Sequence, residues 1–175
     1  MHSPTSAAVG PRPADVERWL VELGIEPLER ADREGVAAWD VVLDGRRRHD
    51  LRVTLILDPS LGLICWAHYA PPISDLFRKS YRRLLRWNDE LPFVKFAISD
   101  DERPVLSTEL GSVVVDRDVL GLALARLLAV SDRLLEESAQ WLWLGGKRPP
   151  DYDSRPARDA ALLDRYADRL GELGT

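Results

Sequence analysis

The side chains best equipped for chemistry in this 175-residue chain are few, and their spacing assembles no reaction centre. The histidines are His2 in a Ser/Thr/Pro-rich lead, His49 in a loop and His68 in a strand. None belongs to a His-Glu-x-x-His or similar pair that would aim two imidazoles at one metal. The single cysteine, Cys65, excludes an intramolecular disulfide and a cysteine zinc cage. It alternates onto the same strand face as Leu63 and Ala67 and so reads as a buried core thiol; a reactive thiolate needs a cationic, partly exposed setting. There is no G-x-S-x-G elbow for a serine nucleophile. Gly145-Gly146-Lys147 lacks the G-x-x-x-x-G-K frame of a phosphate loop, and Asp100-Asp101-Glu102 lacks the Asp-x-Asp-x-Asp-Gly loop of a calcium site. The reading therefore assigns no catalytic residue, no cofactor and no metal, and expects a protein that is not an enzyme.

Charge is the more distinctive signal. Arg78, Arg82, Arg83 and Arg86, with Lys79, fall on one face of a helical stretch, and Arg46-Arg47-Arg48 crowd one loop. Such clusters hold phosphates or acidic segments through charge-assisted, sometimes bidentate hydrogen bonds. The plainer alternative is a solvated face paired with some of the 29 acidic residues. The net charge of -5 and the pI near 5.3 disfavour nucleic acid, whose binding needs a surplus of cations against phosphate. No run approaches the roughly 18 apolar residues that span a bilayer, and Met1 to Pro13 has neither a basic nor an apolar leader segment. A cytoplasmic protein without membrane contact is the expectation.

The elements that must position these groups follow from periodicity. Residues 1–12 read as a disordered lead. From Ala14, Val16, Trp19, Leu20 and Leu23 recur at helical spacing, and Gly24 supplies a left-handed stop. Ile25 to Gly35, charged and broken by Pro27, reads as connection, with a short irregular strand in it as the alternative. Three strands follow by period-two alternation, at Val36 to Asp44, Leu51 to Leu57 and Gly62 to Tyr69, and their short turn-rich connections predict an antiparallel meander. After Pro71-Pro72, Ser74 caps a helix whose apolar side is Ile73, Leu76, Phe77, Tyr81, Leu84 and Leu85 and whose other side carries the cations. Pro92 closes it. Phe93 to Ile98 and Val105 to Leu110 read as a hairpin around the acidic turn. Asp116 then caps a long helix that runs to about Trp143.

Between Val119 and Val130 that last helix is apolar almost all round, so it must be covered on most sides. A sheet covers one side only. The reading assigns the rest to a second subunit across a twofold axis, with Leu120, Leu124, Leu127, Leu128, Trp141 and Trp143 as the candidate interface with a second copy or a partner. Residues 145–175 read as a linker and a C-terminal helix with an apolar seam of Ala160, Leu163, Tyr166, Ala167 and Leu170, docked in cis or in trans.

Leu84-Leu85-Arg86-Trp87-Asn88, then Leu91-Pro92-Phe93-Val94-Lys95-Phe96, an acidic turn, a second strand and a helix from Asp116 with Asp132 late in it resemble the YbjN family. That family is described as bacterial sensory transduction regulators and is similar in fold to type III secretion chaperones. The resemblance spans roughly residues 14–140 and implies a chaperone-like α+β domain, commonly a homodimer, that binds protein segments. The combined expectation is an α+β fold of order α-βββ-α-ββ-α over residues 13–144, an antiparallel sheet packed on helices, plus the C-terminal helical tail. Its expected function is non-enzymatic binding of an unidentified protein partner by a homodimer. The alternative is a regulator that takes an anionic ligand or nucleic acid on the basic helix 78–86.

Overall fold

The computed structural model describes residues 10–73, 78–111, 114–139, 142 and 155–173. The first helix, α1 (Pro13–Leu23), begins at a reciprocal cap. Arg12 donates its backbone N–H to the Asp15 carboxylate at 3.0 Å, and its guanidinium reaches the same group. Pro13, with no N–H to leave orphaned, fits the first turn. The helix ends where Gly24 adopts φ 75° and Ile25 N–H turns back onto Leu20 C=O at 2.9 Å, which satisfies carbonyls the helix would otherwise strand.

Six strands form one antiparallel sheet in the order β1-β2-β3-β4-β6-β5: β1 (Glu29–Arg33), β2 (Val36–Leu43), β3 (Leu51–Asp58), β4 (Gly62–His68), β5 (Lys95–Ile98) and β6 (Pro104–Glu109). The α+β class holds, with a correction to the element order. The charged stretch read as connection contains β1, so the meander has four strands and the described order is α-ββββ-α-ββ-α before the tail. Register places Val41, Val53, Ala67, Leu106 and Phe96 side by side on one face, and Trp39, Leu55, Cys65 and Thr108 in the next row. All of these are buried.

That face is covered by α1, by α2 (Arg78–Glu90) and by α3 (Arg117–Ala139). The α2 helix buries Leu84 and Trp87, and the Trp87 ring lies 5.4 Å from that of Phe96. Leu85, read as part of the apolar side, points outward and is 69% exposed, because it stands one position from Leu84 and so about 100° around the helix. Asn88 ties α2 to β5: its side-chain N–H donates to Phe96 C=O at 3.0 Å, and Phe96 N–H donates to its Oδ1 at 2.6 Å. Lys95 Nζ donates to Asn88 C=O at 2.6 Å. These three bonds supply the physical content of the Asn88 and Lys95-Phe96 pattern seen in the sequence.

The Asp116 carboxylate caps α3 by accepting Val119 N–H at 2.8 Å. Along α3, Leu120, Leu124, Leu127 and Leu128 are each 0% exposed within the single chain. The sheet covers one side, α1 another, and α4 (Ala160–Arg165) with α5 (Ala167–Leu170) a third. The cover expected from a second subunit is thus supplied in cis, and these four leucines offer no surface to another copy. Trp141 and Trp143, the rest of that candidate interface, lie outside the described residues, as do Ser74, Asp75, Leu76 and Phe77.

Candidate functional site

Three places collect the groups singled out by the sequence. The first is the loop Asp44 to Asp50, which joins β2 to β3. Asp132 of α3 accepts three successive backbone N–H groups from it: Arg46 at 2.8 Å, Arg47 at 2.9 Å and Arg48 at 2.6 Å. Consecutive amides that converge in this way make an anion cradle, and here the anion is the protein's own carboxylate. Gly45 is obligatory beside it, since a Cβ there would stand 2.4 Å from Asp132 Oδ1. The arginine side chains are engaged within the chain. Arg46 pairs with Asp164, Arg47 with Glu136, and buried Arg48 donates to Tyr69 C=O at 3.0 Å. Tyr69 Oη in turn donates to Ser138 Oγ at 2.9 Å, fixing β4 to α3. The Arg46 to Arg48 loop is therefore a structural clasp, in keeping with the plainer of its two readings, cations paired with the chain's own acidic residues. Sequence reasoning missed Asp132 as its centre; a carboxylate inside an apolar helical run was the available signal.

The second place is the basic face of α2. Lys79, Arg82, Arg83 and Arg86 line a shallow depression of about 200 Å³, with Arg78 exposed one turn back. Arg83 is committed: it pairs with Glu137 and lies over the Trp87 ring, 5.6 Å from its centroid. Among the described residues Lys79, Arg82 and Arg86 meet no acidic side chain.

The third place is the sheet face opposite the helices. Alternation puts Ala38, Ile56, Ile64 and Glu109 in one row across four strands, and Asp40, Thr54, Trp66, Ser107 and Lys95 in the next across five. Among the described residues no helix covers these rows, whose apolar members are half-buried by their neighbours alone. His68 stands on this face, 3.1 Å from Thr54 Oγ1 through Nε2, and Thr54 Oγ1 donates to Asp40 Oδ1 at 2.6 Å. Because an ionised carboxylate only accepts, the hydroxyl proton is directed at Asp40 and the proton on Nε2 is directed at the hydroxyl. The order is the reverse of a nucleophile deprotonated by histidine, so the trio ties strands together and leaves Thr54 unactivated. Partial burial and then the Arg52 guanidinium hold His68 below the ordinary imidazole value. Burial pushes the Asp40 carboxyl up, but the Thr54 hydroxyl and Arg52 outweigh it and the group lies below the usual carboxylate range.

Of the remaining reactive candidates, Cys65 and His49 are interior groups and the acidic turn is exposed. Cys65 is fully buried, and desolvation pushes its thiol up to about 12. His49, placed in a loop by the sequence, is fully buried with Nδ1 at 3.8 Å from Asp44. The acidic turn is a hairpin tip, its Asp101 bound by Ser99 Oγ and by Arg103 at 2.6 Å. Among the described residues no three His, Cys, Asp or Glu side chains are grouped to hold a metal, and no helix is long and apolar enough to cross a membrane.

The fold and these places define an α+β domain with its helices on one side of an antiparallel sheet and its charged loop spent on internal anchoring. The family model described as YbjN, "putative bacterial sensory transduction regulator", matches residues 12–142, and the chain belongs to that family. The match includes α1, the whole sheet, Asn88 and Asp132, and it ends before the tail helices α4 and α5. A search of curated proteins finds no match.

Proposed function

We propose that this chain is a regulatory domain that acts by non-covalent binding of protein, as a homodimer formed through the sheet face that no described helix covers. The observation that carries this is the one-sided layering: helices bury one face of the sheet, while Ala38, Ile56, Ile64 and Trp66 line the other. Six strands about 4.8 Å apart and averaging about six residues present roughly 600 Å² in projection, near the roughly 800 Å² per partner of a stable interface. Charge on the face is mixed and nearly balanced, Glu29, Asp40, Asp58 and Glu109 against Arg33, Arg52 and Lys95, as a self-complementary surface requires. The chaperone-like fold implied by the family resemblance accords with this reading. Light scattering on the full chain tests it. The expected mass is twice 19.8 kDa, and the double variant Ile64→Asp/Trp66→Asp is expected to run as a monomer with an unchanged circular dichroism spectrum. A monomeric wild type at micromolar concentration would remove the dimer.

A second reading, a regulator that takes an anionic ligand, is favoured by one observation, the convergence of Lys79, Arg82, Arg83 and Arg86 on a single depression. It requires low-salt binding of pyrophosphate or a short oligonucleotide that Arg82→Glu/Arg86→Glu abolishes. Titration without any heat or shift at low salt ends that reading.

A further inference from the structure

The tail, residues 155–173, lies beyond the family match and is held on α3 like a bound peptide. Leu162, Leu163 and Tyr166 are buried there, although α4 and α5 are too short to be stable helices alone. Each end is fixed by specific groups. At the start, Asp159 accepts Asp44 N–H at 2.6 Å and returns its own N–H to Asp44 C=O at 3.2 Å, while Arg155 bridges Asp44 and Asp50. At the end, Arg133 donates to Leu173 C=O at 2.7 Å. Between them the Tyr166 ring fills a notch over Gly121, where a Cβ would stand 2.2 Å from Tyr166 Oη, and that hydroxyl donates to Asp118 at 3.1 Å. The seat thus reads an Asp-x-x-Leu-Leu-x-x-Tyr pattern, Asp159 to Tyr166. The fit is incomplete beyond it: Leu163, Ala167 and Leu170 border an open cavity of about 400 Å³ against Ala129 and Arg133 of α3.

We propose that this seat is the recognition site for a partner protein's amphipathic segment of the form Asp-x-x-Leu-Leu-x-x-Tyr, and that the tail occupies it in cis until such a segment displaces it. The chemistry of the partner is read from the tail already seated: a carboxylate for the Asp44 amide, two leucines for α3, and a tyrosine for the Gly121 notch. A larger apolar side chain at the position of Ala167 fills the cavity and gives the partner its advantage over the tail. The inference rests on the reading of the chain as a protein-binding domain but uses a different surface from the proposed dimer.

The probe is a fluorescent peptide of residues 155–173, titrated against the full-length chain carrying Asp159→Ala and Tyr166→Ala to loosen its own tail. Saturable anisotropy is expected, at least tenfold weaker when the chain also carries Gly121→Ala, which favours helix and leaves α3 intact. A peptide with Tyr166→Ala is expected to lose binding by a similar factor, and one with Ala167→Leu to bind several-fold tighter and to compete with the wild-type tail. No binding to a loosened chain that remains folded by circular dichroism overturns the proposal, as does binding indifferent to Gly121→Ala. If Tyr166→Ala dissociates the dimer, the seat belongs to an exchange of tails between copies and the partner reading is overturned. Failure of the sheet-face variants to give a monomer bears only on the dimer surface.

Discussion

Replacing Asp132 by Ala removes the acceptor of three backbone N–H groups at once, at a residue that is only 9% exposed. A hydrogen bond to a charged group contributes roughly 1.5–3 kcal/mol, and a buried donor left without an acceptor costs about as much. Water entering the space left by the carboxylate recovers part of that, so the net loss is about 4 kcal/mol, a large fraction of the 5–15 kcal/mol typical of a domain. With a urea slope of about 2 kcal/mol/M, the unfolding midpoint falls by about 2 M at unchanged slope. Asp132→Asn keeps one oxygen for two of the donors and turns an NH₂ against the third, so its midpoint lies between the two. The same geometry predicts coupling with Gly45. Gly45→Ala drives a methyl into Asp132 Oδ1 and is destabilising in the wild type, yet nearly neutral once Asp132 is Ala. The measurement is a double-mutant cycle by urea denaturation. A midpoint for Asp132→Ala within about 0.3 M of wild type, or additive effects of the two substitutions, would refute the reasoning.

Two further outcomes concern titration. The folded value of His68 is depressed, so its contribution to stability is present above about pH 6.5 and is lost as pH falls through the folded value; an NMR titration placing His68 at or above 6.5 contradicts the contacts described. Cys65 runs the other way: with a folded value near 12 against 9.0, its contribution is present below about pH 9 and is lost as pH rises toward 12. Its thiol should resist a disulfide reagent at about pH 8 in the native protein and react on unfolding, and native reactivity would place it outside the core.

Much of this architecture was legible because period and punctuation agree with burial. Trp39, Val41 and Leu43 alternate in sequence and in the structure, Gly24 stops α1 where its φ of 75° demands it, and Asp116 caps α3. What escaped the sequence has physical reasons. The β1 strand has no apolar face to show, since all five residues are exposed and only its ladder with β2 makes it a strand. The all-round apolar stretch of α3 correctly demanded cover, but hydrophobicity does not say which chain supplies it, and Leu162, Leu163 and Tyr166 do so from over thirty positions away. The three loop arginines look alike in sequence. Only the position of Asp132 in space reveals that their backbone, as well as their guanidinium groups, ties that loop down.

The composition of β1 bears on which contacts between copies of this chain are disfavoured. An outermost strand is a template onto which another molecule's strand adds, and Glu-Arg-Ala-Asp-Arg offers such a strand four charged side chains, both signs among them, and nothing to bury. At the far side, β5 is only four residues long and opens with Lys95. Continuous sheets and fibrils grown strand to strand are thereby disfavoured at both ends. Under the proposed dimer, copies would stack broadside through the sheet face, an arrangement that closes after one partner instead of propagating.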